Sequence, residues 1–89
     1  VRESAVERHL VQRVKALGGM CVKLAPTMTG LPDRLVMLPG GGIWFVELKQ
    51  PKGKVAPIQV EMHRRLDVLG HPVATLWNRD QIDLWLEFR

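Results

Sequence analysis

An α/β fold is predicted, with a central mixed sheet flanked by helices and elements in the order αβββαβα. Three observations predict it. Apolar residues recur at helical spacing over residues 3–17 and again over 57–69. Between them two apolar runs, RLVML and IWFVEL, flank the turn signal PGGG and read as a hairpin. HPVATLW, residues 71–77, reads as a fourth strand after the second helix.

In the first helix Val6, Leu10, Val14 and Leu17, joined by Val11, form one stripe, while Arg8, Gln12, Lys15 and Ala16 face away. Gly18-Gly19 ends it. Glu7 falls inside the apolar stripe, where a carboxylate needs a partner or a metal because an unpaired buried charge is unfavourable. Glu3 points nearly the same way, but a first-turn Glu is explained by the helix dipole. A Glu7 paired with Lys or Arg is the plainer alternative. MCVKLAP, residues 20–26, reads as a first strand ended by Pro26, and residues 27–31 form a loop into the hairpin. PKGKVAP follows the hairpin as a loop, and Pro57 suits the first turn of the second helix. There Ile58, Met62, Leu66 and Leu69 are expected to face the core, His63-Arg64-Arg65 to form a solvated face, and Gly70 to close the helix. Asn78 with Gln81 resembles a capping box for a last helix, to which Ile82, Trp85, Leu86 and Phe88 give apolar surface.

The hairpin carries the chemistry. Side chains alternate along a strand, so Ile43, Phe45, Glu47 and Lys49 share one face, and Trp44, Val46 and Leu48 take the other. A carboxylate and an ammonium thus stand two residues apart on an otherwise apolar face. Thirteen residues separate Asp33 from Glu47, enough for two short strands and a turn, so Asp33 can come alongside them. An edge hairpin with a solvated Glu–Lys pair is the ordinary reading of ExK alone. Two carboxylates meeting at strand ends, however, repel unless a cation lies between them, and oxygen donors of this kind suit Mg²⁺ or Mn²⁺.

Composition narrows the field. Eighty-nine residues suit one domain, residues 1–89, with a small core that buries roughly 60–65% of the unfolded surface. No apolar run reaches the length of a membrane span, and no signal peptide is visible. A lone Cys21 forms no internal disulfide and suggests a buried hydrophobe in a reducing, intracellular setting. A net charge of +4 with pI near 9.8 permits a polyanionic partner without proving one. Lys52 and Lys54, directly after the hairpin, stand where a phosphate backbone would pass.

Pro32-Asp33 with Glu47-Leu48-Lys49 resembles the PD-(D/E)xK nuclease superfamily. GLPDR, FVELK and Gln59 in the next helix are most similar to its VRR-NUC branch. The opening SAVERHLVQRVKALGG is similar to archaeal Holliday-junction resolvases. The resemblance spans Glu3 to about Trp77. It implies a metal-dependent DNA endonuclease leaving a 5′-phosphate and a 3′-hydroxyl, with Mg²⁺ or Mn²⁺ on Asp33, Glu47 and the Leu48 carbonyl. It further implies Glu7 as the helix carboxylate, with Lys49 and Gln59 completing the site. Thr27 or Thr29 would supply a hydroxyl near substrate, although plain turn chemistry explains both equally well. Arg34, Lys52 and Lys54 are the candidate DNA contacts, with solvated surface the alternative. Short relatives of this kind are similar to homodimeric resolvases, so a homodimer on branched DNA is expected, in the cytoplasm of a bacterium or on behalf of a phage. The competing classes are a non-catalytic nucleic-acid-binding module with a structural cation site and a purely structural partner domain.

Overall fold

In the computed structural model the described residues are 3–25, 27–50 and 52–89. The Glu3 side chain, weighed above against Glu7, and Pro26, expected to end the first strand, lie outside them. The chain runs α1 (Glu3–Ala16), β1 (Met20–Lys23), β2 (Arg34–Leu38), β3 (Gly42–Leu48), α2 (Pro57–Val68), β4 (Val73–Leu76) and α3 (Arg79–Glu87). The αβββαβα order is the expected one.

The strands lie side by side in the order β1-β2-β3-β4. β1 pairs antiparallel with β2, and β2 with β3, whereas β3 and β4 run parallel. A two-strand hairpin needs only the tight turn at Pro39-Gly40-Gly41. The parallel pair needs a crossover, and α2 carries it.

Val36, Val46, Leu48 and Leu76 from the sheet meet Val6, Leu10 and Val14 of α1 and Ile82 and Leu86 of α3 in one buried cluster. Burying each such side chain contributes about 1.5–3 kcal/mol. Trp44 and Trp85 pack edge-to-face at 5.9 Å on its margin, and the Arg89 guanidinium lies 4.9 Å from the Trp85 ring centre. Cys21, half-buried, packs against the same cluster. Strand alternation puts Glu47 on the opposite face, under α2.

Helix ends follow the sequence signals. Gly18, at φ +87°, closes α1: its N–H donates to Lys15 O and that of Gly19 to Val14 O. A left-handed residue there satisfies two terminal carbonyls. The same pair of bonds closes α2, from Gly70 to Asp67 and from His71 to Leu66. Asn78 caps α3 by accepting from Gln81 N, while the Gln81 side chain accepts from Trp77 N, one residue outside a capping box. No helix among the described residues is long and apolar enough to cross a membrane.

Three apolar expectations are corrected. Leu17, Ile58 and Leu69 are 46%, 53% and 71% exposed. Leu17 and Leu69 lie just past helix ends, where the helix no longer covers the sheet. On α2 the inward face is the arc Gln59, Met62, His63 and Leu66, one residue round from Ile58. That helix is turned by the polar end of β3 beneath it.

Candidate active site

The site begins where β2 and β3 end. Their register pairs Arg34 with Val46, and one further step sets Asp33 opposite Glu47. Pro32 is buried before it, and the Asp33 backbone is tied to the end of β1 by the Leu24 N–H donating to Asp33 O at 3.0 Å. Asp33 Oδ2 accepts from Leu48 N at 2.8 Å. In a strand one residue's N–H and C=O point the same way, so the Leu48 carbonyl also faces the Asp33 side.

Glu47 is buried between two core residues, its side chain 2% exposed. Gln59 Nε2 donates to Glu47 Oε2 at 3.0 Å, and Lys49 Nζ lies 3.4 Å from the same oxygen. Lys49 Nζ donates to Gln59 Oε1 at 2.8 Å, as does the Ala56 N–H at 3.1 Å. Gln59 thus does two things with one amide. It reaches back to the residue before α2 as the N3 half of a capping box, and it bridges Glu47 to Lys49. Burial pushes the Glu47 carboxyl up to about 7; the nearby Asp33 charge adds to the rise, and Lys49 and Gln59 oppose it.

Glu47 Oε1 has no hydrogen-bond partner among the described residues, and neither does His63 Nε2, 4.0 Å away. His63 was expected on a solvated face. It lies instead one turn beyond Gln59 on the inward arc, with its side chain 17% exposed. The signal was the i, i+4 spacing of Gln59 and His63, which puts both on one helix face.

Glu7 is held by Arg34, whose Nε donates to Glu7 Oε2 at 2.8 Å. Arg34 also donates to Cys21 O, and its side chain is 15% exposed, so it turns inward rather than out towards a solvent-side phosphate. The physical reason is its place in β2: Arg34 pairs with Val46 and shares the α1 face, where an unpaired guanidinium would be unfavourable. Glu7, Asp33 and Leu48 nevertheless line one cavity of about 540 Å³, with Thr29 and Lys23 at its wall. Lys23, at the exposed end of β1, has nothing but its charge to mark it in the sequence. Thr27, Lys52 and Lys54 are exposed and make no side-chain hydrogen bond or ion pair among the described residues.

No cluster of three or more Asp, Glu, His or Cys side chains suited to a metal occurs among the described residues. The donor set here is smaller: Asp33, Glu47 and a backbone carbonyl. Mg²⁺ keeps several waters and takes one or two carboxylates, so this set fits it. The buried, unpartnered Oε1 of Glu47 is what a cation would satisfy.

No family model matches the chain. It is 47% identical over 81 residues to "Putative nuclease p44" of Acyrthosiphon pisum secondary endosymbiont phage 1, covering 90% of this chain and 87% of that protein. A solved structure described as a VRR_NUC domain superposes with a TM-score of 0.87 at 38% identity, over 96% of this chain and 94% of the other. The chain belongs to the VRR-NUC family. Of the VRR-NUC motif residues, Asp33, Glu47, Lys49 and Gln59 come together at the carboxyl end of β3. Glu7 borders the same cavity while bonded to Arg34.

Proposed function

We propose that this VRR-NUC chain is a Mg²⁺- or Mn²⁺-dependent endonuclease that hydrolyses DNA phosphodiester bonds. The observation that carries the reading is Glu47: a carboxylate buried beside Asp33, with one oxygen bonded and the other unpartnered, next to an ammonium. Asp33, Glu47 and the Leu48 carbonyl would hold the cation, and Glu7 could join through water once released by Arg34. When bound, the cation supplies Lewis-acid polarisation of the scissile phosphate and lowers the pKa of water at the site.

The protein's own groups do the rest. Gln59 holds Lys49 Nζ and Glu47 Oε2 in fixed relation, so neither side chain must reorganise when substrate arrives. An ammonium at Lys49 offers donors to a phosphate oxygen or the attacking water and offsets developing negative charge. The cavity beside Asp33 has room for the backbone of a nucleic acid, and Thr29 and Lys23 at its wall provide a hydroxyl and a cation. Lys52 and Lys54, in the exposed loop after β3, extend the positive path. The substrate reading is branched DNA cut by a homodimer, two sites facing opposed strands across a two-fold axis. It is supported by the family resemblance of the motifs.

Incubation with four-way-junction, flapped and linear DNA in Mg²⁺, Mn²⁺ or EDTA tests the proposal. Cleavage that requires metal and favours the junction supports it; cleavage of linear DNA alone removes the branched substrate. Binding without cleavage under every condition would leave a non-catalytic nucleic-acid-binding module. Sedimentation at micromolar concentration, with and without junction DNA, tests the homodimer.

A further inference from the structure

Glu47 is secured at one oxygen only. Gln59 Nε2 and Lys49 Nζ both approach Oε2, so the carboxylate lacks a second tether on its other oxygen. The free oxygen, Oε1, is buried and lies 4.0 Å from His63 Nε2, itself buried and without a partner among the described residues. Two orphaned polar atoms in a protein interior are rare, because each lost hydrogen bond is unfavourable by about 1–3 kcal/mol. Two that face each other across 4.0 Å, neither of them reachable by water, stand one small side-chain rotation short of a direct bond. His63 sits on α2 one turn from Gln59, so one helix face delivers both groups to the same carboxylate.

We propose that His63 is a positioning residue for Glu47: its Nε2–H, facing Oε1 directly, fixes the carboxylate's rotation and so the direction in which it meets a divalent cation. Gln59 and His63 together then hold the two oxygens of Glu47 from one helix, each through one lone pair, and leave the remaining lone pair of Oε1 for the cation. Groups behind a metal ligand of this kind commonly set its affinity by 10–100-fold. The inference rests on Glu47 as a cation ligand.

The test is Mn²⁺ binding to the DNA-free protein by calorimetry, for wild type, Glu47→Gln, His63→Met and His63→Gln, with unfolding curves in EDTA to check that each variant is folded. His63→Met keeps volume and helix propensity but removes the N–H. His63→Gln returns an N–H donor near the Nε2 position. The expected result is that His63→Met weakens Mn²⁺ binding about tenfold or more while His63→Gln stays within about threefold of wild type. A merely structural histidine would show no such rescue. If His63→Met is unfolded in EDTA, His63→Ala replaces it with the same expectation. Wild-type affinity in the donor-free variant overturns the inference while leaving the metal reading intact, provided Glu47→Gln loses binding. Equal weakening in His63→Met and His63→Gln also overturns it. Absence of Mn²⁺ binding in wild type sinks both.

Discussion

Glu47 is an ionisable group in a place where its charge is unfavourable without a counter-ion. Its carboxyl is pushed up to about 7 by burial and then by Asp33, from an ordinary value of 4.5. The folded state therefore holds the proton more tightly than the unfolded chain. The associated stability is fully present below about pH 4.5 and is lost as pH rises through about 7, by about 3 kcal/mol. In EDTA, wild-type protein should thus unfold at lower urea at pH 8 than at pH 5.5. Glu47→Gln should flatten that slope, and Asp33→Asn should reduce it, since the second cause of the shift is gone. Parallel pH profiles for wild type and Glu47→Gln would count against the buried charge. Adding Mg²⁺ at pH 8 should stabilise wild type and leave Glu47→Gln nearly unchanged, because a cation that binds only the folded site shifts the equilibrium by mass action. For activity, Asp33→Ala, Glu47→Ala and Lys49→Ala should each lower Mg²⁺-dependent cleavage at least about 100-fold with the fold retained. A Lys49→Ala protein that cut DNA at the wild-type rate would remove the ammonium from the mechanism.

At the level of elements, α1 and the hairpin could be read directly because their periods are unmixed. Val6, Leu10 and Val14 recur at helical spacing and are all buried against the sheet. Leu10→Ala should therefore destabilise by about 3 kcal/mol in urea unfolding, as for a fully enclosed leucine. The second helix was harder. Its apolar row Ile58, Met62, Leu66 suggested one inward face, whereas the burial follows Gln59, Met62, His63 and Leu66. Apolar spacing could not announce that rotation, since what α2 covers at this end is Glu47 and Lys49. The loop before Asp33 is fitted against the same helix: a Cβ on Gly30 would stand 2.8 Å from Ile58 O, and its φ of +88° disfavours a side chain. Gly30→Ala should destabilise by more than about 1 kcal/mol and displace that loop, seen as a lowered unfolding midpoint and weaker Mg²⁺ binding.

Across the whole molecule, positive charge is spread widely, with a net of +4, so charge alone does not mark a DNA path. If Lys52 and Lys54 contact phosphate, Lys52→Ala and Lys54→Ala should each weaken DNA binding and lower the salt dependence by about one ion. An unchanged salt slope would return both to solvated surface. Taken by itself, the sequence determined the order of elements, the pairing of the two hairpin strands and the presence of a PD…ExK pair near their ends. Those follow from hydrophobic period, turn residues and spacing, all properties of neighbours along the chain. Only the tertiary structure decided that Arg34 closes on Glu7, that Gln59 bridges Glu47 to Lys49, and that His63 faces the free oxygen of Glu47. Each of those contacts joins two elements, and its partner is chosen by which buried charge must be neutralised or hydrogen-bonded once the helices have packed.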